Sequence, residues 1–316
     1  LDTQRKSSGS IWFWGIFISL LIFALLFAGI SFIFLAGSIL KTSEKSYKYE
    51  TIRDGSGKIA VIEIDYTIFK SEPLIRQLKK YRDDKSIKAI ILRIDSPGGG
   101  SAASFEMYEE VRRTRESGKP VIVSHGSIAA SGGYLVSCGG NIIVSNPSSI
   151  TGSIGVIATF TTVYELLDKI GIKETSIVSG EFKDTGSPFR EMRESEKKYI
   201  QEIIDDTFEQ FFDIVAKERK IDREKLKTIA NGRIYTGRQA KELGLVDTLG
   251  TFEDAVKIAA DLAGITGEPT LVKEVKERNI IEFFLESNSS NSFNILKNDL
   301  YKEIFNKPLI QYKFEP

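Results

Sequence analysis

The chain holds one cysteine, Cys138, and one histidine, His125. A single cysteine excludes an intrachain disulfide and any zinc site built from several cysteines. A single histidine leaves hydrolytic chemistry of the Ser-His-Asp kind resting on one side chain. Excess charge of either sign is missing too, since 43 Lys and Arg balance 43 Asp and Glu. Nucleic acid is therefore not an expected partner, because nothing supplies a basic footprint. No metal-ligand cluster or cofactor motif stands out, and neither metal nor cofactor is expected.

Charge is also absent from Ile11 to Leu35. About twenty apolar residues cross a bilayer, and at ~1.5 Å per residue this run exceeds a ~30 Å hydrocarbon core. Trp12 and Trp14 stand at one end, where interfacial aromatics belong. Residues 11–37 are therefore expected to form a transmembrane anchor behind a short N-terminus, residues 1–10. A cleavable signal peptide is the other reading, with Ala36-Gly37-Ser38 as small residues for cleavage. Its apolar core usually runs ~7–15 residues, shorter than this one. Arg5 and Lys6 precede the span, and Lys41, Lys45 and Lys48 follow it. Flanking charge therefore does not decide the orientation.

Residues 38–57 are polar and read as a linker. Beyond them the composition is that of a globular domain, at 41% hydrophobic and 27% charged residues over the whole chain. Strands are expected at Lys58–Phe69, Ala89–Asp95, Pro120–Ser124, Asn141–Ser145 and Thr175–Val178. Helices are expected at Leu74–Arg82, Ser101–Glu116, Ser131–Cys138, Thr161–Ile170, Met192–Lys220, Arg223–Ala230 and 251–264. Strands alternating with helices imply an α/β fold of βαβ units around a parallel sheet. After about residue 275 the chain turns charged and then Asn/Ser-rich, so 276–316 reads as a tail, flexible or an oligomer contact.

Two glycine-rich turns follow apolar strands. The first is Asp95-Ser96-Pro97-Gly98-Gly99-Gly100. Consecutive glycines admit positive φ and let the backbone approach a ligand, with free N–H groups able to face developing negative charge. A plain strand-to-helix turn explains the same residues, and no Gly-Lys-Ser/Thr follows to make a phosphate loop. The second turn is Gly126-Ser127-Ile128-Ala129-Ala130-Ser131-Gly132-Gly133-Tyr134. Ser131 sits among small residues at the expected start of a helix, with room for a tetrahedral intermediate and an unhindered N–H at Gly132. A serine that merely caps a packed helix would look the same.

Together the two turns are the pattern of the Clp-protease/crotonase-like fold. Their wording resembles the signal peptide peptidase A family. The likeness continues through Thr151-Gly152-Ser153-Ile154-Gly155-Val156, Lys183, Gly232-Arg233-Ile234-Tyr235-Thr236-Gly237 and Ala240-Lys241-Glu242-Leu243-Gly244-Leu245-Val246-Asp247, and covers roughly residues 58–265. It implies a serine peptidase domain over 58–275. Ser131 would be the nucleophile, Lys183 the general base, and Ser153 the residue that orients the lysine. The N–H groups of Gly99 and Gly132 would form the oxyanion hole.

A lysine base must be neutral at working pH, so its pKa must fall well below ~10.4, which burial achieves. Glu181 and Asp184 flank Lys183 and are expected to point away from it, or to reach it only through other groups. His125 is the rival base, but nothing places a carboxylate beside it, and it reads as a structural histidine. Cys138 and Tyr134 read as packing.

The resemblance implies further that Ser131 of one subunit meets Lys183 of its neighbour in a closed homo-oligomeric ring, an octamer as first expectation. It implies a single-pass protein of the cell membrane with its catalytic domain outside the cytoplasm. Its substrates would be cleaved signal peptides left in the membrane and peptides at the membrane surface. Three alternatives stay open: an acyl-CoA enzyme of the crotonase type, a non-catalytic membrane scaffold of the same fold, and an anchored peptidase with another protein target.

Overall fold

A computed structural model describes residues 14, 16–23, 25–31, 47–276 and 310–314. The chain divides into two compact units, Leu1–Lys48 with Val275–Asn279, and Tyr49–Glu274 with Ile280–Pro316. In the first, the described residues between 14 and 31 are helical and expose apolar side chains such as Phe23 and Phe27. Among the described residues no helix is long and apolar enough to cross a membrane. The anchor expected at 11–37 is thus not found there, and the remainder of that span lies outside the described residues.

From residue 47 the chain is built on β1 (Tyr47–Arg53), β2 (Lys58–Ile64), α1 (Glu72–Asp83), β3 (Ile87–Ser96), β4 (Gly98–Gly100), α2 (Ser101–Glu116), β5 (Val121–Ala130), α3 (Gly132–Ser137), β6 (Ile142–Ser145) and β7 (Ile150–Gly152). It continues through α4 (Tyr164–Lys169), α5 (Glu194–Arg219), α6 (Arg223–Ile229), β8 (Ile234–Thr236), α7 (Gly237–Leu243), β9 (Thr248–Leu249), α8 (Phe252–Leu262), β10 (Thr270–Lys276) and β11 (Gln311–Lys313). The main sheet runs β1-β10-β2-β3-β5-β6-β9, with β7 on β5 and β8 on β7. The β10–β2, β2–β3, β3–β5, β5–β6 and β6–β9 pairs are parallel.

The continuous apolar runs follow from burial on both faces. Ile62, Ile64, Ile90, Leu92, Ile94, Val121 and Val123 face one core, while Ile59, Val61, Ile91 and Ile122 face the other. The alternation is the two-residue period of a strand. The second core also holds Ala255, Val256, Ala259 and Ala260 of α8. Two aspects of the sheet position the site. β5 pairs with β6 along Ile122–Ser124 and then with β7 along Ile128–Ala130. β3 shifts register between Ile94 and Ser96. Both glycine turns leave the carboxyl ends of these two neighbouring parallel strands, the usual place for a site in such sheets.

Several expectations need correction. Thr175–Val178 is not a strand: no strand pairs with it, and Ile177 is 98% exposed. Local β-propensity without a neighbour to pair with does not make a strand. The helix expected over 161–170 shrinks to α4, which buries no residue. Part of the linker, Tyr47–Arg53, is the strand β1. Part of the tail is also ordered, because β11 pairs antiparallel with the glycine strand β4.

Candidate active site

The first glycine turn folds into β4, three residues without side chains. An added Cβ on Gly99 would lie 2.0 Å from the Ile68 oxygen, and one on Gly98 would lie 2.1 Å from the Tyr312 oxygen and 2.6 Å from the Gly132 nitrogen. Gly98 has φ +96°. Only glycine tolerates these approaches. One edge of β4 is fixed by Ile68, whose N–H donates to Gly98 O at 2.8 Å and whose oxygen accepts from Gly100 N at 2.7 Å. The Gly99 N–H and C=O therefore face the other edge, where β11 lies. Ser101 N donates to Ile310 O at 3.3 Å, and Phe314 N donates to Pro97 O at 2.8 Å. Between these two bonds, Gly99 and Tyr312 are the hydrogen-bonded pair of the antiparallel ladder. The Gly99 N–H thus faces a peptide carbonyl, that of Tyr312.

The second turn places Ser131 between β5 and α3 with φ +53° and ψ −116°. A positive φ at a residue with a Cβ is strained, at a cost of about 1–3 kcal/mol. Two bonds hold it. Ser131 N donates to Gly152 O at 2.8 Å, and its own oxygen accepts from Leu135 N at 2.8 Å. The side chain is buried, and Ser131 Oγ has no hydrogen-bond partner among the described residues. A buried hydroxyl left unpaired needs a reason. Gly132 closes the gap to β11: its added Cβ would lie 3.1 Å from the Tyr312 oxygen and 2.4 Å from Ser104 Oγ. Gly132 and Gly99 therefore flank one peptide carbonyl, and Ser131 is the residue that precedes Gly132.

Ser153 is nearly buried with φ +51°, directly after Gly152, whose oxygen holds Ser131. Its N–H donates to Arg233 O at 2.7 Å. This gives the 232–237 motif a physical role, since β8 pairs antiparallel with β7 and fixes the turn that carries Ser153. The 240–247 motif is structural too. Leu245 O accepts from the Tyr134 hydroxyl at 2.8 Å, and Asp247 receives both terminal nitrogens of Arg219 at 2.7 and 3.0 Å.

Lys183 is not brought to Ser131 within the chain. It is exposed in a run of turns, with its N–H on Gly180 O at 3.1 Å. Its acidic neighbours are engaged elsewhere, as expected. Asp184 accepts from Arg190 at 2.8 Å and Arg193 at 3.1 Å, and Glu181 Oε1 accepts from Ser195 Oγ at 3.2 Å. Arg190 and Arg193 also clasp the fully buried carboxylate of Glu196, at 2.5 and 2.7 Å. Their hydrogen bonds hold its pKa well below the usual carboxylate range. The Lys183 turn is thereby tied to the start of α5. The arm that carries it, residues 161–193, exposes Leu166, Ile170, Ile172, Ile177 and Phe182. An open depression lined by Tyr164, Asp168, Ile172 and Phe189 lies on this arm and includes neither Ser131 nor Lys183.

His125 is fully buried, with Nε2 3.1 Å from Ser137 Oγ and Nδ1 unpartnered. Burial, followed by the Arg93 and Arg219 charges, pushes its pKa down to about 3. It makes no hydrogen bond to Ser131. Burial pushes the Cys138 thiol up to about 12, which leaves it an inert core side chain. Among the described residues no group of three His, Cys, Asp or Glu side chains could hold a metal ion.

Sequence reasoning missed Tyr312 and the strand it lies in. A three-residue strand of glycines has no side-chain pattern, and no composition signal marks the tripeptide that pairs with it.

Residues 113–266 match the family described as Peptidase family S49. Putative protease slr0021 of Synechocystis sp. is 43% identical over 210 residues, covering 66% of this chain and 75% of that protein. Putative signal peptide peptidase SppA of Enterococcus faecium is 39% identical over 188 residues, covering 60% and 55% respectively. Putative protease MJ0651 of Methanocaldococcus jannaschii is 40% identical over 205 residues, covering 65% of each. The match thus spans from about half to three quarters of these relatives. The matched stretch includes the Ser131 turn, β7 and β8, so the local geometry and the likeness fall on the same residues, and the chain belongs to peptidase family S49, the signal peptide peptidase A family.

Proposed function

We propose that this chain is a serine endopeptidase whose nucleophile is Ser131 and whose base is Lys183 of a neighbouring copy. The observation that carries the reading is the peptide carbonyl of Tyr312, which lies against Gly99 and Gly132, the latter directly after Ser131, whose buried hydroxyl has no partner among the described residues. An extended peptide laid along β4 is how a sheet edge binds a chain substrate, with backbone bonds giving affinity and side-chain pockets giving choice. It favours a peptide over an acyl-CoA thioester.

The chemistry is acyl transfer. The neutral amine of Lys183 accepts the Ser131 proton as Oγ attacks the carbonyl carbon. The oxyanion accepts hydrogen bonds from the Gly99 and Gly132 N–H groups, a contribution of about 3–4 kcal/mol per donor in other hydrolases. The lysinium then protonates the leaving amine as the peptide bond breaks. Water, deprotonated by the same amine, hydrolyses the ester and returns Ser131. Ser153 hydrogen-bonds the amine and aims its lone pair.

Two features support sharing between copies. Ser131 Oγ has no partner among the described residues of its own chain, and Lys183 rides on an arm whose apolar side chains are exposed. Large exposed apolar surface marks an interface. A head-to-tail ring, proposed as an octamer, satisfies both. The proposed setting is the cell membrane, with residues 11–37 as anchor and the catalytic unit outside the cytoplasm. The proposed substrates are signal peptides left after export and other peptides at the membrane surface.

The test is hydrolysis of fluorogenic peptides by the full chain in detergent. Ser131→Ala and Lys183→Ala are each expected to lower kcat at least 1000-fold. Full activity in Lys183→Ala would remove the base from this account and return attention to His125.

A further inference from the structure

We infer that Asp95 is a positioning residue whose carboxylate sets the register of the nucleophile turn against the oxyanion strand. The inference rests on the peptidase reading above and deepens it. Asp95 opens the first glycine turn and Gly126 opens the second, and neither takes part in the acyl transfer.

β3 and β5 pair up to Ile94 opposite His125, and they pair again at Ser96 opposite Ala129. Gly126, Ser127 and Ile128 of β5 thus stand against the single residue Asp95 of β3. A bulge of this kind bends its strand and re-aims the side chains that follow, and bulges gather next to active sites. Here β5 also changes partner, from β6 to β7. Side chains hold its backbone across the change. Asp95 Oδ1 accepts from Ile128 N at 3.0 Å. Arg93 Nη1 donates to His125 O at 2.8 Å, and the buried Ser149 donates through Oγ to Gly126 O at 2.5 Å. Of these bonds the one from Ile128 lies nearest the nucleophile, three residues before Ser131.

Gly126 makes room for the carboxylate. Its φ is not positive, so its backbone admits a side chain. What forbids one is Asp95, since an added Cβ would lie 2.7 Å from Asp95 Cγ and Oδ2 and 2.9 Å from Asp95 Cβ. The two residues that open the glycine turns therefore fit each other.

The bulge acts on both halves of the site. Beyond it β3 leads through Ser96 into β4 and Gly99, while β5 leads through Ala129 to Ser131 and Gly132. A slip of one residue moves a strand by ~3.3 Å. A misplacement of ~1 Å suffices to cost about 100-fold in rate. The Asp95 bond to Ile128 keeps the two strand ends in step.

The experiment uses the full chain in detergent, as wild type, Asp95→Ala, Asp95→Asn, Gly126→Ala and the double variant of Asp95→Ala with Gly126→Ala. Peptide hydrolysis is measured well below each melting temperature. Asp95→Ala is expected to lower kcat about 10- to 100-fold and to leave KM within about 2-fold. Asp95→Asn keeps an oxygen for the Ile128 N–H and is expected to restore kcat to within about 5-fold of wild type. Gly126→Ala displaces the carboxylate and is expected to match Asp95→Ala, with the double variant within about 2-fold of either single one. Unchanged kcat in Asp95→Ala, equal loss in Asp95→Asn, or losses that multiply in the double variant overturn the inference. Hydrogen–deuterium exchange over residues 126–133 gives a readout that needs no hydrolysis. Faster exchange in Asp95→Ala with wild-type exchange in Asp95→Asn, and no peptide cut by any form, keeps the role of Asp95 and removes the peptidase reading. Exchange alike in wild type and Asp95→Ala removes that role whatever the hydrolysis.

Discussion

At Ser131 the backbone is strained and, among the described residues, the hydroxyl is unpaired. Such costs mark a residue held for chemistry rather than for stability. Ser131→Gly removes both and is expected to raise stability by about 1 kcal/mol while abolishing hydrolysis. Urea unfolding beside a peptide assay checks both halves, and a destabilised variant would show that the serine is structural. His125 makes the opposite case. Its folded pKa of about 3 lies below the ordinary 6.5. Between those values the unfolded chain binds a proton that the folded chain refuses, so stability falls as pH drops from 6.5 towards 3 and is fully present above 6.5. The contribution is isolated between about pH 4.5 and 6.5, above most carboxylate titration. Unfolding curves there are expected to lose most of their pH slope in His125→Gln. An equal slope in both proteins would place the titration elsewhere.

At the scale of elements, the strands of the central sheet are legible because burial on both faces writes itself as unbroken apolar runs, as at Ala89–Leu92. Long helices are legible for a similar reason: α5 buries Ile200, Phe211, Phe212 and Val215 on one face. The short pieces are not. β4 and β11 are strands through their pairing, with each other and with Ile68 and Ile157 respectively, whereas among the described residues no strand pairs with Thr175–Val178. The turn that carries Lys183 belongs to this class, since it is held by ion pairs rather than by a core. Glu196 is its anchor, below the side chains of Arg190 and Arg193. Glu196→Gln leaves two guanidinium groups without their shared carboxylate. It is expected to lower the melting temperature by several degrees and kcat by at least 10-fold, with KM for small peptides little changed. Unaltered kcat would separate this clasp from the placement of Lys183.

Across the whole molecule, the candidate site was legible to different degrees. Ser131, Gly132 and Gly99 stand out because two glycine turns leave adjacent strand ends, but a plain turn or a capping serine explains the same residues, so their roles rest on the resemblance. Ser153 rests beside them through Gly152. Lys183 was legible only through resemblance: its turn has no pattern of its own, and within one chain it is exposed and apart from Ser131. Under the proposed ring, another copy closes that distance, and the apolar side chains exposed between Leu166 and Phe182 are the surface proposed for the contact.

The most direct measurement mixes Ser131→Ala and Lys183→Ala protein, each inactive alone, after dissociation and reassembly in detergent. In a head-to-tail ring with random placement, about one site in four pairs an intact serine with an intact lysine. The account predicts recovery of about a quarter of wild-type hydrolysis. No recovery from mixed rings, verified by differential labelling of the two variants, would contradict a dyad shared between copies.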